Sequence, residues 1–266
     1  MKGEYHMNER QFRTIPAPFV AAIVQEESAE SAMANILNSE HDGAKGFAID
    51  FSFMKESDRS EEQLRKIFGI SARPMMPLFY RYGYLASDKL SEDQRAEAML
   101  RTMQAGAVSI DVMGDMFEPF AKFELAQSKR AISAQKDLIQ RIHERGGEVL
   151  MSSHMPEPRS AEQVLEHMQT QIERGADITK VITTCDTEQE FMESVRTLLL
   201  LKEKMDRPFI FLCNGKYGRI QRCIAPTLGC MLSFAIERFR PHSLGAQFNV
   251  SAASMILKEM TWHKII

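Results

Sequence analysis

Residues 160–183 of the chain read SAEQVLEHMQTQIERGADITKVIT and contain one complete helix–strand unit. Ser160 and Gln163 form a capping box, which predicts a helix start because the two side chains bond free amides of the first turn. An amphipathic helix is predicted over residues 161–174, and Gly175 ends it, since glycine adopts the left-handed conformation easily. The apolar run that follows, residues 178–183, has the composition of a buried strand.

The same unit recurs along the chain. Capping boxes also begin at Ser60, Ser91 and Thr187, and glycines follow further predicted helices at positions 43, 106 and 146. Candidate helices include residues 29–38, 92–104, 131–145 and 161–174. Predicted strands cover residues 19–24, 46–51, 75–80, 108–112, 148–152, 178–183 and 209–213, and an eighth is expected near residues 243–248.

Eight strands that alternate with helices indicate an α/β fold with parallel pairing, and a single-domain (β/α)8 TIM barrel is the simplest way to close it. A doubly wound open sheet is the alternative, but the chain lacks the glycine-rich nucleotide-binding motifs that would favour it. No linker rich in proline, glycine or serine divides the sequence. We therefore predict an N-terminal extension over residues 1–17 and a barrel over residues 18–266.

The composition is that of an ordinary globular protein, with 44% hydrophobic residues and a net charge of −3. Its lysines and arginines are scattered, which argues against nucleic acid or an anionic membrane as a partner. No run reaches the length of a transmembrane helix, and the first 18 residues lack an apolar signal core, so a cytoplasmic location is expected. The four cysteines form no C-x-x-C pair, and free thiols are expected rather than a metal site.

A lysine stands in the middle of the predicted sixth strand. Side chains alternate along a strand, so Ile178, Lys180 and Ile182 share one face. Burial disfavours the charged ammonium, and a neutral amine attacks a carbonyl to form a Schiff base. The alternative is a structural lysine whose ammonium reaches solvent at the strand end.

Other polar residues follow the strands at the end where barrel enzymes carry their active sites. His154 follows the predicted fifth strand, beside Lys180, where an imidazole serves as an acid or base; alternatively, it bonds a loop carbonyl. Asp111, at the end of the predicted fourth strand, is a candidate to orient His154, or else it binds backbone amides.

Two arginines and two smaller polar residues complete the candidate site. Arg81 follows the predicted third strand and suits an anionic substrate, or it pairs with a core carboxylate. Arg222 follows the seventh strand, and its rigid guanidinium fits a carboxylate. Ser243 and Gln247, near the expected last strand, are candidates to bind substrate hydroxyls.

The order Ser152-Ser153-His154, then Gly175-Ala176-Asp177-Ile178-x-Lys180, then Arg222, then Ser243-x-x-x-Gln247 resembles type I 3-dehydroquinate dehydratase over nearly the whole chain. The resemblance implies a barrel that is often a homodimer and that needs neither a metal nor an organic cofactor. It implies the loss of water from a cyclic keto acid, 3-dehydroquinate, to give 3-dehydroshikimate in the shikimate pathway of aromatic amino acid biosynthesis.

The resemblance also assigns roles to the matching residues. Lys180 would form the imine with the ketone, and His154 would remove the α-proton, return a proton to the departing hydroxyl and assist imine formation and hydrolysis. Arg222 would hold the substrate carboxylate, and Ser243 and Gln247 would lie on a loop that closes over the substrate.

The first half of the chain departs from the family pattern. Gly46 and Ala48 stand where the family has a glutamate and an arginine, and Leu85 and Met113 stand where it has glutamates. These losses leave two alternatives beside the dehydration of 3-dehydroquinate: an imine-forming lyase or aldolase for a different, less hydroxylated keto acid, or a non-catalytic member that binds a metabolite. Residues 116–130 are long for a strand-to-helix loop and form a candidate extra helix.

Overall fold

Parallel strands alternate with helices in the computed structural model, which describes residues 11–81, 90–241, 243 and 245–260. The strands are β1 Phe19–Val24, β2 Gly46–Asp50, β3 Met75–Leu78, β4 Ser109–Met113, β5 Glu148–His154, β6 Ile178–Thr184, β7 Phe209–Asn214, β8 Leu232–Ile236 and the short β9 Phe248–Asn249. The helices are α1 Ala29–His41, α2 Glu61–Gly69, α3 Glu92–Gln104, α4 Lys129–His143, α5 Ala161–Glu173, α6 Glu188–Lys204, α7 Gly218–Ile224 and α8 Val250–Met260.

The strands pair in two parallel arcs, β3-β2-β1-β8-β9 and β4-β5-β6-β7. Single backbone bonds bridge the two seams: Val108 N donates to Met75 O across 3.4 Å, and Met231 N donates to Phe209 O across 2.9 Å. The cyclic order of β1 to β8 is therefore that of a (β/α)8 barrel, and the predicted fold class is confirmed.

The helix–strand units form as the sequence predicts. Ser91, Ser160 and Thr187 make complete capping boxes, and the Ser60 side chain accepts a hydrogen bond from Gln63 N. Gly175 ends α5 with φ 109°, and a Cβ there would lie 2.9 Å from Ile139 Cγ2. Both observations explain why the chain turns into β6 at this residue.

The expected position of the eighth strand is wrong. β8 is Leu232–Ile236, an apolar run that follows the 3-10 helix Ala225–Leu228 and Gly229. Most of residues 243–248 lies in the connection after β8, and only Phe248 begins the two-residue β9 beside Ala235. The prediction overlooked this run, although residues 232–236, LSFAI, have ordinary strand character. Residues 116–130 hold a 3-10 helix, Lys122–Glu124, before α4 begins.

The lower end of the barrel, at the start of the strands, is closed by Phe12. Phe12 is 1% exposed, and its backbone N–H donates to Glu148 Oε1 over 2.6 Å. Arg13 and Ser109 also bind the Glu148 carboxylate, although burial raises its pKa. Residues 11–14 thus contact the barrel, while the limits of the extension (1–17) and barrel (18–266) stay a prediction.

Above this plug the interior of the barrel is apolar. Along β1, Phe19 and Ala21 pack inside the barrel with residues such as Ala48 and Leu150, whereas Val20 and Val24 pack against the helices. The functional side chains therefore gather at the upper end, where the strands finish. Among the helices that the structure describes, none has both the length and the apolar character needed to cross a membrane.

Candidate active site

A cavity of about 620 Å³ opens at the carboxyl ends of the strands. Four predicted site residues line it, namely Lys180, His154, Arg222 and Gln247. Strands β1 to β8 are parallel, so their last residues converge on this one end of the barrel. In the described ranges, no cluster of His, Cys, Asp or Glu is arranged to hold a metal ion.

Lys180 lies in β6 with only 5% of its surface exposed. Its Nζ is 2.6 Å from Tyr80 Oη and 3.3 Å from Asp111 Oδ2. The ammonium therefore does not reach solvent at a strand end: it is held inside the barrel, at the cavity wall. An amine at that place is positioned to react with a carbonyl compound bound in the cavity.

Asp111 lies beside the lysine and is 1% exposed. Its Oδ1 accepts a hydrogen bond from Ser152 Oγ at 2.5 Å, and its Oδ2 accepts one from Tyr80 Oη at 2.8 Å. These bonds and the Lys180 contact occupy the carboxylate. The expectation that Asp111 orients His154 is thus corrected: this carboxylate forms an ion pair with Lys180 instead.

His154 ends β5, two residues beyond Ser152, which pairs with Lys180 across the sheet. Its Nδ1 is 2.9 Å from Glu124 Oε2, and the same oxygen accepts the His154 backbone N–H. The Tyr80 ring meets the imidazole edge-to-face, with centroids 5.1 Å apart. With its Nδ1 proton bound to Glu124, the imidazole presents Nε2 as its basic nitrogen.

Glu124 belongs to the segment between β4 and α4, and residues 120–124 form one wall of the cavity. Phe117, Phe120, Phe123 and Glu124 all have positive φ, between 49° and 67°. This left-handed conformation costs about 1 kcal/mol per non-glycine residue, so the rest of the loop must stabilise it. The sequence gives no signal for it, which is why Glu124 was missed.

Arg222 is 4% exposed at the cavity wall. Its Nε donates to Cys213 O and its Nη2 to Asn214 Oδ1, both over 2.9 Å. Burial lowers its pKa to about 10. Within the described ranges no ion pair joins Arg222 to a carboxylate, so the site offers a buried positive charge to an anionic ligand.

Asp50, at the end of β2, is a further carboxyl group on the cavity wall. Burial raises its pKa to about 6, although Ser52 Oγ at 2.6 Å and Gln25 Nε2 at 3.2 Å bind it. Asp50 therefore changes charge close to neutral pH. Together with Gln25 it provides hydrogen-bonding groups on the β1–β2 side of the cavity.

A comparison with known protein families decides the classification. The model of the type I 3-dehydroquinase family matches residues 25–263. The chain belongs to this family.

Individual members of the type I 3-dehydroquinase family are distant in sequence. The catabolic 3-dehydroquinate dehydratase of Acinetobacter baylyi is 25% identical over 142 residues, covering 53% of this chain and 52% of that protein. The 3-dehydroquinate dehydratase of Alkaliphilus oremlandii is 27% identical over 132 residues, covering 49% of this chain and 51% of that protein. The chain thus spans about half the length of these two curated relatives.

Solved structures of the family agree with the fold over most of the chain. The 3-dehydroquinate dehydratase of Geobacillus kaustophilus superposes with a TM-score of 0.79 at 16% identity, covering 94% of this chain and 95% of that one. A type I enzyme of Clostridium difficile, solved with covalently modified comenic acid, has a TM-score of 0.76 at 14% identity and covers 92% of each chain.

Within the type I 3-dehydroquinase fold, Arg81 differs from its predicted role. Its guanidinium forms two hydrogen bonds with Glu92, at 3.0 and 2.6 Å, and one with Asp115 at 2.6 Å. It is not among the residues that line the cavity. The alternative of a core ion pair therefore describes Arg81 as the structure places it.

Ser243 and Gln247, the loop residues of the type I 3-dehydroquinase pattern, lie in different surroundings. Gln247 is 4% exposed and lines the cavity. Ser243 Oγ instead accepts a hydrogen bond from Arg240 N at 2.9 Å, and Ser243 does not line the cavity. The structure thus brings Gln247, but not Ser243, to the cavity that Lys180 lines.

The departures from the type I 3-dehydroquinase pattern have a packing explanation on β2. Gly46 lies against the Phe12 ring and Ala48 packs in the apolar interior, so neither lines the cavity. Met113 does line it, and it replaces a carboxylate with an apolar side chain. Leu85 lies outside the described residues.

Proposed function

We propose that this chain dehydrates 3-dehydroquinate to 3-dehydroshikimate through an imine on Lys180. The observation that carries the proposal is the buried amine at the cavity wall, with its Nζ 2.6 Å from Tyr80 Oη and 3.3 Å from Asp111 Oδ2. Membership of the type I 3-dehydroquinase family supports the reaction. The absence of a metal or organic cofactor from this reaction stays a prediction.

The reaction divides between the amine and the imidazole. The neutral Lys180 amine attacks the ketone, and water leaves to give a protonated imine, which withdraws electrons from the adjacent carbon. His154 then takes the α-proton through Nε2, while Glu124 holds Nδ1 at 2.9 Å. The resulting enamine expels the β-hydroxyl group, which receives a proton from His154 and leaves as water. Hydrolysis of the imine releases the product and restores Lys180.

Arg222 supplies the charge that binds the substrate carboxylate. Its buried guanidinium has Cys213 O and Asn214 Oδ1 as hydrogen-bond partners, and both are neutral acceptors. An incoming carboxylate would neutralise the charge and form a charge-assisted bond. Gln247, Asn214 and Gln25 are then available for the ring hydroxyls.

A second candidate is the same imine chemistry on a less hydroxylated keto acid. Phe53, Leu78 and Met113 make the β2–β4 side of the cavity apolar. A site built to hydrogen-bond hydroxyl groups rejects analogues that lack them by roughly 10⁴-fold or more, whereas an apolar wall imposes no such requirement and accepts a less hydroxylated ligand. A lyase or an aldolase would both fit this description.

Replacing Glu124 with glutamine is expected to lower kcat about tenfold and to leave KM little changed. The amide still accepts the Nδ1 proton, but it no longer stabilises the imidazolium that forms during proton transfer. Steady-state kinetics of the variant measure this effect. Glu97→Gln, which removes an exposed carboxylate on α3, is the matched control. An unchanged kcat in Glu124→Gln would remove Glu124 from the mechanism.

We also propose a homodimer in the cytoplasm. Family resemblance supports the dimer, and the cysteines, all free in the structure, are compatible with a reducing compartment. Light scattering on the purified chain tests the dimer, and a monomer at micromolar concentration would contradict it.

Borohydride trapping with 3-dehydroquinate tests the proposed function. Reduction of the imine leaves a stable adduct, which intact mass and peptide mapping detect and which we expect on Lys180. The Lys180→Ala protein is the blank. An adduct together with turnover supports the dehydratase. No adduct with 3-dehydroquinate, but one with a simpler keto acid, would instead support the second candidate.

A further inference from the structure

Tyr80 contacts the Lys180 amine, and the sequence assigned it no chemical role. It stands two residues beyond the end of β3 and is half-buried in the cavity wall. Its hydroxyl lies 2.6 Å from Lys180 Nζ and 2.8 Å from Asp111 Oδ2. The phenol thus connects the amine to a carboxylate that is itself fixed by Ser152 Oγ at 2.5 Å.

The direction of these hydrogen bonds follows from the groups themselves. An ammonium has donors only, and a carboxylate has acceptors only. The Tyr80 oxygen therefore accepts from Lys180 Nζ and donates its own proton to Asp111 Oδ2. Burial, and then the charge of Asp111, raise the pKa of Tyr80 well above its ordinary value, so the phenol stays neutral. Tyr80 can therefore give its proton to Asp111 only if it receives a proton from Lys180 at the same time.

We infer that Tyr80 is a catalytic residue that relays a proton between Lys180 and Asp111 during imine formation. The inference rests on the proposed imine chemistry and adds a residue to it. In the first step, the Lys180 ammonium gives a proton to Tyr80 Oη while Tyr80 gives its proton to Asp111. The products are a neutral amine, an intact phenol and a neutral carboxylic acid, so charge and protons balance.

The relay then runs backwards. The amine attacks the ketone, and proton transfer within the adduct gives a neutral carbinolamine. Asp111 returns its proton to Tyr80 Oη as Tyr80 protonates the carbinolamine hydroxyl, which leaves as water. The products are the protonated imine on Lys180 and the Asp111 carboxylate, so the carboxylate is regenerated.

This relay separates two tasks at the site. Tyr80 and Asp111 transfer protons to and from the Lys180 nitrogen, whereas His154, held by Glu124, removes the α-proton of the substrate. The Tyr80 and His154 rings pack edge-to-face with centroids 5.1 Å apart, so the two pairs of residues lie side by side in the cavity wall. The charged or titratable groups that face Tyr80 are Lys180, Asp111, His154, Asp50 and Glu124.

Tyr80→Phe and acetylacetone test the relay without relying on 3-dehydroquinate. This small diketone condenses with a nucleophilic lysine to a conjugated enaminone, which absorbs in the near ultraviolet and is located by peptide mapping. We expect Tyr80→Phe to form it about 10² times more slowly at neutral pH, in the range of lost acid–base catalysis. The rate should recover as pH rises, because hydroxide then removes the lysine proton directly.

Two further variants complete the test. Tyr217→Phe removes an exposed hydroxyl that lies 3.5 Å from Glu188 and outside the cavity lining, so we expect an unchanged rate. Asp111→Asn removes the proton acceptor and should slow the reaction as Tyr80→Phe does, which covers the case in which Tyr80→Phe folds poorly.

Each outcome has one meaning. A parent-like rate and pH profile in Tyr80→Phe, or no enaminone on Lys180 of the parent protein, overturns the relay. An enaminone on Lys180 with the expected loss in Tyr80→Phe supports it. If the parent protein forms the enaminone but gives no adduct with 3-dehydroquinate, the proposed substrate fails while the relay stands.

Discussion

Replacing Lys180 with alanine should lower the turnover of 3-dehydroquinate by on the order of 10⁵-fold or more, the scale on which covalent nucleophiles act. The amine forms the imine, and among the described residues Lys122 is the only other lysine that lines the cavity. The measurement is the ultraviolet absorbance of the conjugated product. A rate within tenfold of the parent protein would exclude the imine mechanism.

The control for Lys180→Ala addresses the Asp111 carboxylate, which would be left buried without its partner. Asp111 is fully enclosed, and removing its ion-pair partner costs about 3–5 kcal/mol in buried pairs. The double variant Lys180→Met with Asp111→Asn removes both charges and keeps an apolar side chain of similar length. The thermal unfolding temperatures of both variants show whether turnover is lost because the amine is missing or because the protein unfolds. Lys136→Ala, on the exposed face of α4, should behave as the parent protein.

Replacing His154 with alanine is expected to slow turnover by roughly 10³-fold, the middle of the range for a lost general base. The imine should still form, because Lys180 contacts Tyr80 and Asp111 rather than the imidazole. Trapping with borohydride should therefore give an adduct in His154→Ala, while the rate of product formation falls. Because 37% of the His154 side chain is exposed, we expect His154→Ala to fold like the parent protein.

His41→Ala provides the matched control, since His41 is exposed at the end of α1. Loss of the adduct in His154→Ala, with the adduct retained in His41→Ala, would move His154 to the imine-forming step. It would also weaken the division of tasks between Tyr80 and His154.

The barrel could be predicted because its units are local. A capping box, an apolar helix face and a glycine lie within about 20 residues of one another, and each has a physical role that sequence reveals. β8 was misplaced for a related reason. Its run Leu232–Ile236 is apolar like the other strands, but the helix before it, α7, has only seven residues and no side-chain N-cap bond, so the usual local signals are missing.

The sequence predicts the position of a candidate site residue well when that residue lies on a strand and poorly when it lies on a loop. Lys180 and His154 were found because strand alternation and the strand end fix their positions. Glu124 reaches His154 only through left-handed backbone at several non-glycine residues, which no composition signals. Tyr80 received no role in the sequence analysis, because the sequence does not show that its hydroxyl contacts a lysine 100 positions away.

The Phe12 plug also constrains how this chain can evolve. A Cβ at position 46 would lie 2.8 Å from Phe12 Cε1, so the glutamate that the family pattern has there does not fit unless the Phe12 ring shifts. Shortening Phe12 first would leave a cavity, at a cost of about 3–5 kcal/mol for a buried phenylalanine. Each of these two single substitutions, at position 46 and at Phe12, is therefore unfavourable. Packing at the end of the barrel opposite the cavity thus restricts which side chains can replace Gly46, independently of the catalytic residues.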